Sequence, residues 1–177
     1  MGERVVPSSY VDSYAPIVHT LIGLEPTVVV DVGPGWGKYG LALREYVPSI
    51  KRLTAVEVEP GRLPVQDAIY DEVYTGDVRV WPSREFWAAH DLALLVDVIE
   101  HMPHSDGESL LARILDARCR VLVSTPKTFF EQNDPANPYE AHCSLWEWAD
   151  FTCISNARIL QDVSTIDSII YVLGAAS

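Results

Sequence analysis

The chain alternates short apolar runs with longer stretches in which apolar residues recur every three or four positions. Five runs stand out: "TVVVDV" from Thr27, "RLTAVEV" from Arg52, "DEVYTG" from Asp71, "DLALLVDV" from Asp91 and "RVLVST" from Arg120. Near-continuous apolar runs of this length suit parallel strands buried on both faces of a sheet. Helical stretches between them imply strand–helix–strand units with right-handed crossovers, and hence an open doubly wound α/β sheet. The end of the chain breaks the rhythm. Arg158–Val163 and Ser168–Leu173 both read as strands, and their connection is too short for a crossover helix. Two strands so joined must be antiparallel. The expected outline is a sheet of about seven strands, mostly parallel, closed by a C-terminal antiparallel hairpin.

Several helix starts are marked as well. Ser105 and Glu108 form a capping box ahead of Leu110, Leu111, Ile114 and Leu115, and Ser144 and Glu147 repeat it ahead of Trp148 and Phe151. Ser83, after Pro82, is placed to cap "REFWAA". In "YAPIVHTLIGL", Ile17, Val18, Leu21 and Ile22 make a stripe that can cover one face of the sheet.

Composition narrows the classes of function. A length of 177 residues suits one domain with a proper core, and 48% hydrophobic residues mark a soluble globular chain. No run is long enough to span a bilayer, and the N-terminus lacks the build of a signal peptide, so no membrane partner is expected. The formal net charge of −12, with Arg and Lys scattered, argues against nucleic acid. Cys119, Cys143 and Cys153 show no CxxC spacing, and an odd count suits free thiols in the cytoplasm.

The chemistry is concentrated in "VVVDVGPGWGKYG", Val28 to Gly40. A GxGxxG dinucleotide fingerprint on Gly35, Gly37 and Gly40 leaves Asp31 and Gly33 in strand positions that should be apolar. Begun at Gly33, it puts Lys38 where the third glycine belongs. Neither register is clean. An acid followed by glycines at every second position (Asp31, Gly33, Gly35, Gly37) instead resembles motif I of the class I S-adenosylmethionine-dependent methyltransferases. "LTAVEVEP" is similar to that family's second strand, ending in the acid Glu57, and "YTGDV" to its third-strand motif, with Asp77. "LALLVDVIEHM" resembles the fourth strand and the "EH" of the small-molecule branch. "RVLVSTP" resembles the fifth strand, and the final hairpin matches the reversed seventh. The likeness covers about residues 15 to 173.

The resemblance implies a single Rossmann-like methyltransferase domain over residues 1–177, with 1–14 as a segment that can cover the active site. It implies S-adenosyl-L-methionine as cofactor, S-adenosyl-L-homocysteine as product, and transfer to an O or N atom of a small-molecule acceptor. Gly33, Gly35 and Gly37 would let backbone approach the cofactor, while Asp31 supports the loop or the amino group of the amino-acid tail. Glu57 would accept from both ribose hydroxyls, Asp77 from the adenine amino group, and the backbone of Val78 would lie beside the ring. Glu59 replaces Glu57 if the strand ends later, and Asp77 has an alternative role as a turn cap. Trp36 and Tyr39 are expected to be packing residues.

Asp97, His101 and His142 are the catalytic candidates, with a backbone-bonding role as the alternative for His101. His104 is expected on a solvated loop. Glu100, His101, His104, His142 and Cys143 match no metal-ligand spacing, so no metal is expected. The acceptor is placed between Asp97–His101 and Tyr139–Trp146, beside a mobile loop, "TFFEQNDPANPY", that carries Phe129, Phe130 and Tyr139. Two other classes stay open: a non-catalytic cofactor-binding partner, and a nicotinamide-dependent oxidoreductase. The oligomeric state is left open.

Overall fold

In the computed structural model, which describes residues 10–59, 67–132 and 137–176, the apolar runs become strands of one seven-stranded sheet. They are β1 (Val28–Val32), β2 (Arg52–Glu57), β3 (Glu72–Thr75), β4 (Leu92–Val96), β5 (Arg120–Pro126), β6 (Ala157–Asp162) and β7 (Ser168–Ala175). The described helices are α1 (Val11–Leu24), α2 (Lys38–Tyr46), α3 (Arg84–Ala88), α4 (His104–Asp116) and α5 (Trp148–Cys153). None of them is long and apolar enough to cross a membrane.

The strand order is β3-β2-β1-β4-β5-β7-β6. The first five strands pair in parallel, and β7 enters antiparallel between β5 and β6, setting Val121 against Leu173 and Thr125 against Ile169. This is the expected Rossmann-like doubly wound sheet with its C-terminal hairpin. From β1 the chain first winds outward through β2 and β3, then returns to place β4 on the other side. That reversal opens a crevice at the carboxyl ends of β1 and β4, the usual place for a ligand in such sheets.

Branching at Cβ stiffens valine and suits it to the pleat, which favours a strand at Val28–Val32. Alternation then divides the residues between two cores. Val29 joins Ile17 and Leu21 of α1 and Leu43 of α2, while Val30 and Val32 join Leu111 and Ile114 of α4 and Phe151 of α5. With both faces covered, the central strands need no polar alternation. The edges differ: β3 and β6 are mostly exposed, so "DEVYTG" is an edge strand rather than a doubly buried one. Its Glu72 blunts that edge against further pairing.

On α4, Leu110, Leu111, Ile114 and Leu115 are fully buried, each contributing about 1.5–3 kcal/mol by leaving water. Close approach of this helix depends on Gly107, where an added Cβ would stand 2.4 Å from the Trp146 ring. A Gly107→Ala change would push α4 off that ring.

Several local expectations are corrected. α4 begins at His104 behind Pro103, with no side-chain cap, so Ser105 lies inside the first turn. His104 is therefore not on a solvated loop; it stacks on Trp146 with ring centroids 4.2 Å apart and faces Glu108 and Asp150. The capping box of α5 is formed by Glu147 and Asp150. Ser144 instead donates to the carbonyls of Ile99 and Met102 and accepts from Trp146 Nε1. Ser83 stands at the cap position of α3 without making the cap bond. Ile22 is exposed, because one residue beyond Leu21 turns it about 100° off the buried stripe.

Candidate active site

Three glycines shape the turn after β1. Gly33, Gly35 and Gly37 have φ of 62°, 55° and 77°, a region in which a Cβ clashes with the backbone. Gly33 N–H donates to Val56 O (2.9 Å), extending the β1–β2 ladder by one bond, and Gly37 N–H closes a turn onto Pro34 O (2.8 Å). The chain is thereby folded tightly enough for α2 to start at Lys38.

Asp31 sits on β1 directly beneath this turn, 2% exposed. Its Oδ2 accepts from the Tyr70 hydroxyl at 2.6 Å. Burial pushes the Asp31 carboxyl up to about 7; the Tyr70 bond opposes that rise and the nearby Glu57 carboxylate adds to it. Gly40 completes the arrangement, since an added Cβ would lie 2.3 Å from the Tyr70 oxygen. The third glycine of one dinucleotide register is thus spent on admitting Tyr70. Sequence reading missed Tyr70 because no local pattern links it to a residue 39 positions earlier.

Glu57 ends β2, 3% exposed, and its Oε1 accepts from the Glu59 N–H (2.9 Å). Beyond β3, Asp77 Oδ1 accepts from the Arg79 N–H at 2.9 Å, and the Arg79 guanidinium engages both carboxylate oxygens at 2.6–3.0 Å. The bond from Arg79 holds the Asp77 carboxyl below its ordinary value. Asp77 therefore does cap its own turn while lining the crevice. The next residue, Val78, is buried, and its carbonyl accepts from Arg113 (2.9 Å).

The other end of the crevice is built from β4, β5 and the chain beyond them. Asp97 follows β4 with φ of 53°; its N–H donates to Ser124 O and its carboxylate accepts from Ser124 Oγ, both at 3.0 Å. That left-handed turn leads into a short 3-10 turn, Ile99–His101. His101 Nδ1 lies 3.3 Å from Ala141 O, and His142 Nδ1 lies 3.1 Å from Phe130 O. A carbonyl only accepts, so each Nδ1 carries the proton and each Nε2 presents a lone pair. The two rings meet edge to face at 4.9 Å. Burial lowers the pKa of both imidazoles, and for His142 the neighbouring His101 adds to the effect.

Most of these groups share one crevice of about 620 Å³, within the usual range for small-molecule sites. It is lined by Asp31, Gly33, Gly35, Glu57, Glu59, Asp77 and Val78 at one end, and by Asp97, Glu100, His101, Tyr139 and His142 at the other. Gly37 is set back from the lining, against Ile69. Tyr39 is packed in the core at 5% exposure but also borders the crevice, and Trp36 is 48% exposed and lines it. Trp146, expected at the acceptor wall, is in the core at 1% exposure. Tyr10 lines the opening and its ring stands edge-on to Phe130 at 6.5 Å, while a buried Ser13–Ser168 hydrogen bond (2.9 Å) ties α1 to β7. Residues 1–9 of the suggested covering segment, and 133–136 of the loop beside the acceptor, fall outside the described residues.

Comparison with solved structures places this architecture. Over 93% of this chain and 83% of its own, the magnesium protoporphyrin IX methyltransferase of Synechocystis, solved with S-adenosylhomocysteine, is similar at a TM-score of 0.67 and 17% identity. The chain has the class I methyltransferase fold. The methyltransferase domain of bacterial CtHen1-CN shares it at a TM-score of 0.63 and 18% identity, over 92% of this chain and 97% of that one. A Rhodobacter sphaeroides chain named for the Zn-dependent alcohol dehydrogenases is similar too, at 0.70 and 11%, over 95% and 91%. At such identities the fold alone is what is shared, and chemistry has to be read from the residues. No protein-family model matches the sequence, and neither does any curated protein.

Proposed function

We propose that this protein is an S-adenosyl-L-methionine-dependent methyltransferase that acts on an O or N atom of a small-molecule acceptor. The observation that carries the reading is the continuity of the crevice: the glycine turn and two buried acids at one end, two neutral imidazoles and Asp97 at the other. The lining fits the cofactor. Glu57 offers a buried carboxylate to a pair of vicinal hydroxyls, and the turn at Gly33–Gly35 bares backbone to an amino-acid tail. Bound there, the cofactor supplies an electrophilic methyl group on a sulfonium sulfur.

Methyl transfer is an in-line displacement, so the chain's own work is alignment and exclusion of water. Asp97, His101 and His142 face the acceptor end, where an imidazole Nε2 lone pair can take a proton from a hydroxyl. Tyr10, Phe130 and Tyr139 wall that end with apolar surface. Calorimetric titration with S-adenosylmethionine, S-adenosylhomocysteine and NAD tests the reading. Binding of NAD, with neither adenosyl compound bound, would overturn it. Binding of the adenosyl compounds without turnover on any O or N acceptor would leave a cofactor-binding partner protein, the second reading.

A further inference from the structure

Glu100 is spare in the mechanism above. Its side chain is 2% exposed and lines the crevice, and its carboxylate oxygens make no hydrogen bond of regular geometry among the described residues, although the Thr125 hydroxyl lies near them. A buried carboxyl left short of hydrogen bonds is costly and calls for a further partner. Main-chain bonds hold it in place: Glu100 O accepts from Cys143 N (2.7 Å) and Ser144 N (3.1 Å), which docks the His142 segment against the 3-10 turn. As a result Glu100, His101 and His142 each offer a donor atom, all within 4.8 Å of one another.

One further feature matches a metal site rather than a general base alone. Both imidazoles are fixed by Nδ1–H bonds to backbone carbonyls, the outer-shell device that orients a ligating histidine and leaves Nε2 free. His104 and Cys143, which adjoin these residues in the sequence, do not belong to the cluster: His104 points to Trp146 and Asp150.

We propose that Glu100, His101 and His142 bind one divalent first-row transition-metal ion at the acceptor end of the crevice, leaving coordination positions open to an oxygen-bearing acceptor. The donor set is two imidazole nitrogens and one carboxylate, which suits Mn, Fe, Co or Zn better than the all-oxygen preference of Ca or Mg. Ligand distances of about 2.0–2.2 Å put donors roughly 3–3.5 Å apart, so binding draws the three groups together by about an ångström. An ion there would occupy both Nε2 lone pairs and select hydroxyl acceptors over amines by holding the oxygen and favouring its ionised form, the proton passing to Asp97, which lines the same end of the crevice, instead of to an imidazole. This last step rests on the methyltransferase reading; the metal site does not.

The test uses the full chain stripped with EDTA and titrated with CoCl₂, read by visible absorption and by bound metal after gel filtration, alongside S-adenosylhomocysteine calorimetry. One cobalt per chain is expected, with affinity weakened more than about a hundredfold in His142→Ala and in the isosteric Glu100→Gln. S-Adenosylhomocysteine affinity serves as the check that each variant is folded. Absence of stoichiometric cobalt binding in the wild type, or its survival in both variants, overturns the site. If the adenosyl ligand binds and cobalt does not, the metal proposal fails alone; if cobalt binds and the adenosyl ligand does not, the methyltransferase reading fails alone.

Discussion

The two ends of the crevice are made in different ways. At the β1–β2 end the groups are strand ends and the turns that follow them: Asp31 and Gly33–Gly37 belong to one stretch of chain, and Glu57 ends the neighbouring strand. At the β4–β5 end, His101 and His142 lie 41 positions apart and meet because each ring is bonded to a carbonyl of the long segment after β5. A site made from strand ends inherits its geometry from the sheet, whereas one pinned by a loop depends on a few specific bonds. The first end should therefore tolerate change in its surroundings and the second should not.

The sharpest way to break the contrast is at the imidazoles. His101→Ala and His142→Ala are expected to lower turnover on a hydroxyl acceptor by about 10²–10⁴-fold, with mild loss on an amine. Affinity for S-adenosylhomocysteine, followed by calorimetry, should stay near wild type. Full turnover by both variants would mean that the acceptor lies elsewhere. Next comes Glu57→Ala, which removes charge-assisted hydrogen bonds worth roughly 1.5–3 kcal/mol, about ten- to a hundredfold in cofactor affinity. If Glu59→Ala is the damaging change and Glu57→Ala is silent, the ribose is held two residues later along the chain than proposed.

Beneath the glycine turn, Tyr70→Phe leaves the Asp31 carboxyl without its donor and is expected to cost about 1–3 kcal/mol in denaturant unfolding. Asp31 also gives a pH signature. Burial holds its proton up to about pH 7 in the folded chain, whereas the unfolded chain releases it around 3.8. Between those values the unfolded state binds fewer protons, so this carboxyl makes stability fall as pH rises through the window and levels off above it. Asp31→Asn should flatten that slope in melts across about pH 4–7; an unchanged slope would mean that the buried carboxyl is already ionised. Smallest is Asp77→Ala, expected to weaken the cofactor less than about tenfold, because Arg79 already holds this carboxylate and the purine gains from apolar contact. A loss as large as that of Glu57→Ala would show that Arg79 yields to the ligand.

Much of the first end was legible along the chain. The apolar runs fixed the strands, an acid with glycines at alternate positions marked the turn, and a connection too short for a helix forced the hairpin to be antiparallel. Each signal is local, because strand propensity, left-handed φ and loop length are properties of a few neighbouring residues. The covering of helix faces was read almost as well, and failed at Ile22 by one position of helical phase.

What the sequence could not decide was everything that hangs on contacts between distant segments. Ser144 reads as a cap until the carbonyls of Ile99 and Met102 compete for its hydroxyl. Trp146 reads as a pocket wall until Gly107 opens a seat for its ring in the core. Tyr70 carries no motif, yet packing delivers its hydroxyl to Asp31 and thereby explains Gly40. Glu100 and His101, beside one another in the chain, match no ligand spacing with His142, and main-chain bonds from Cys143 and Ser144 to Glu100 bring the three together. Local preference sets which elements form and where they turn. Which side chains share a desolvated space is set by the closing of the sheet and its loops, because only there does an unpartnered polar group become costly enough to select its neighbour.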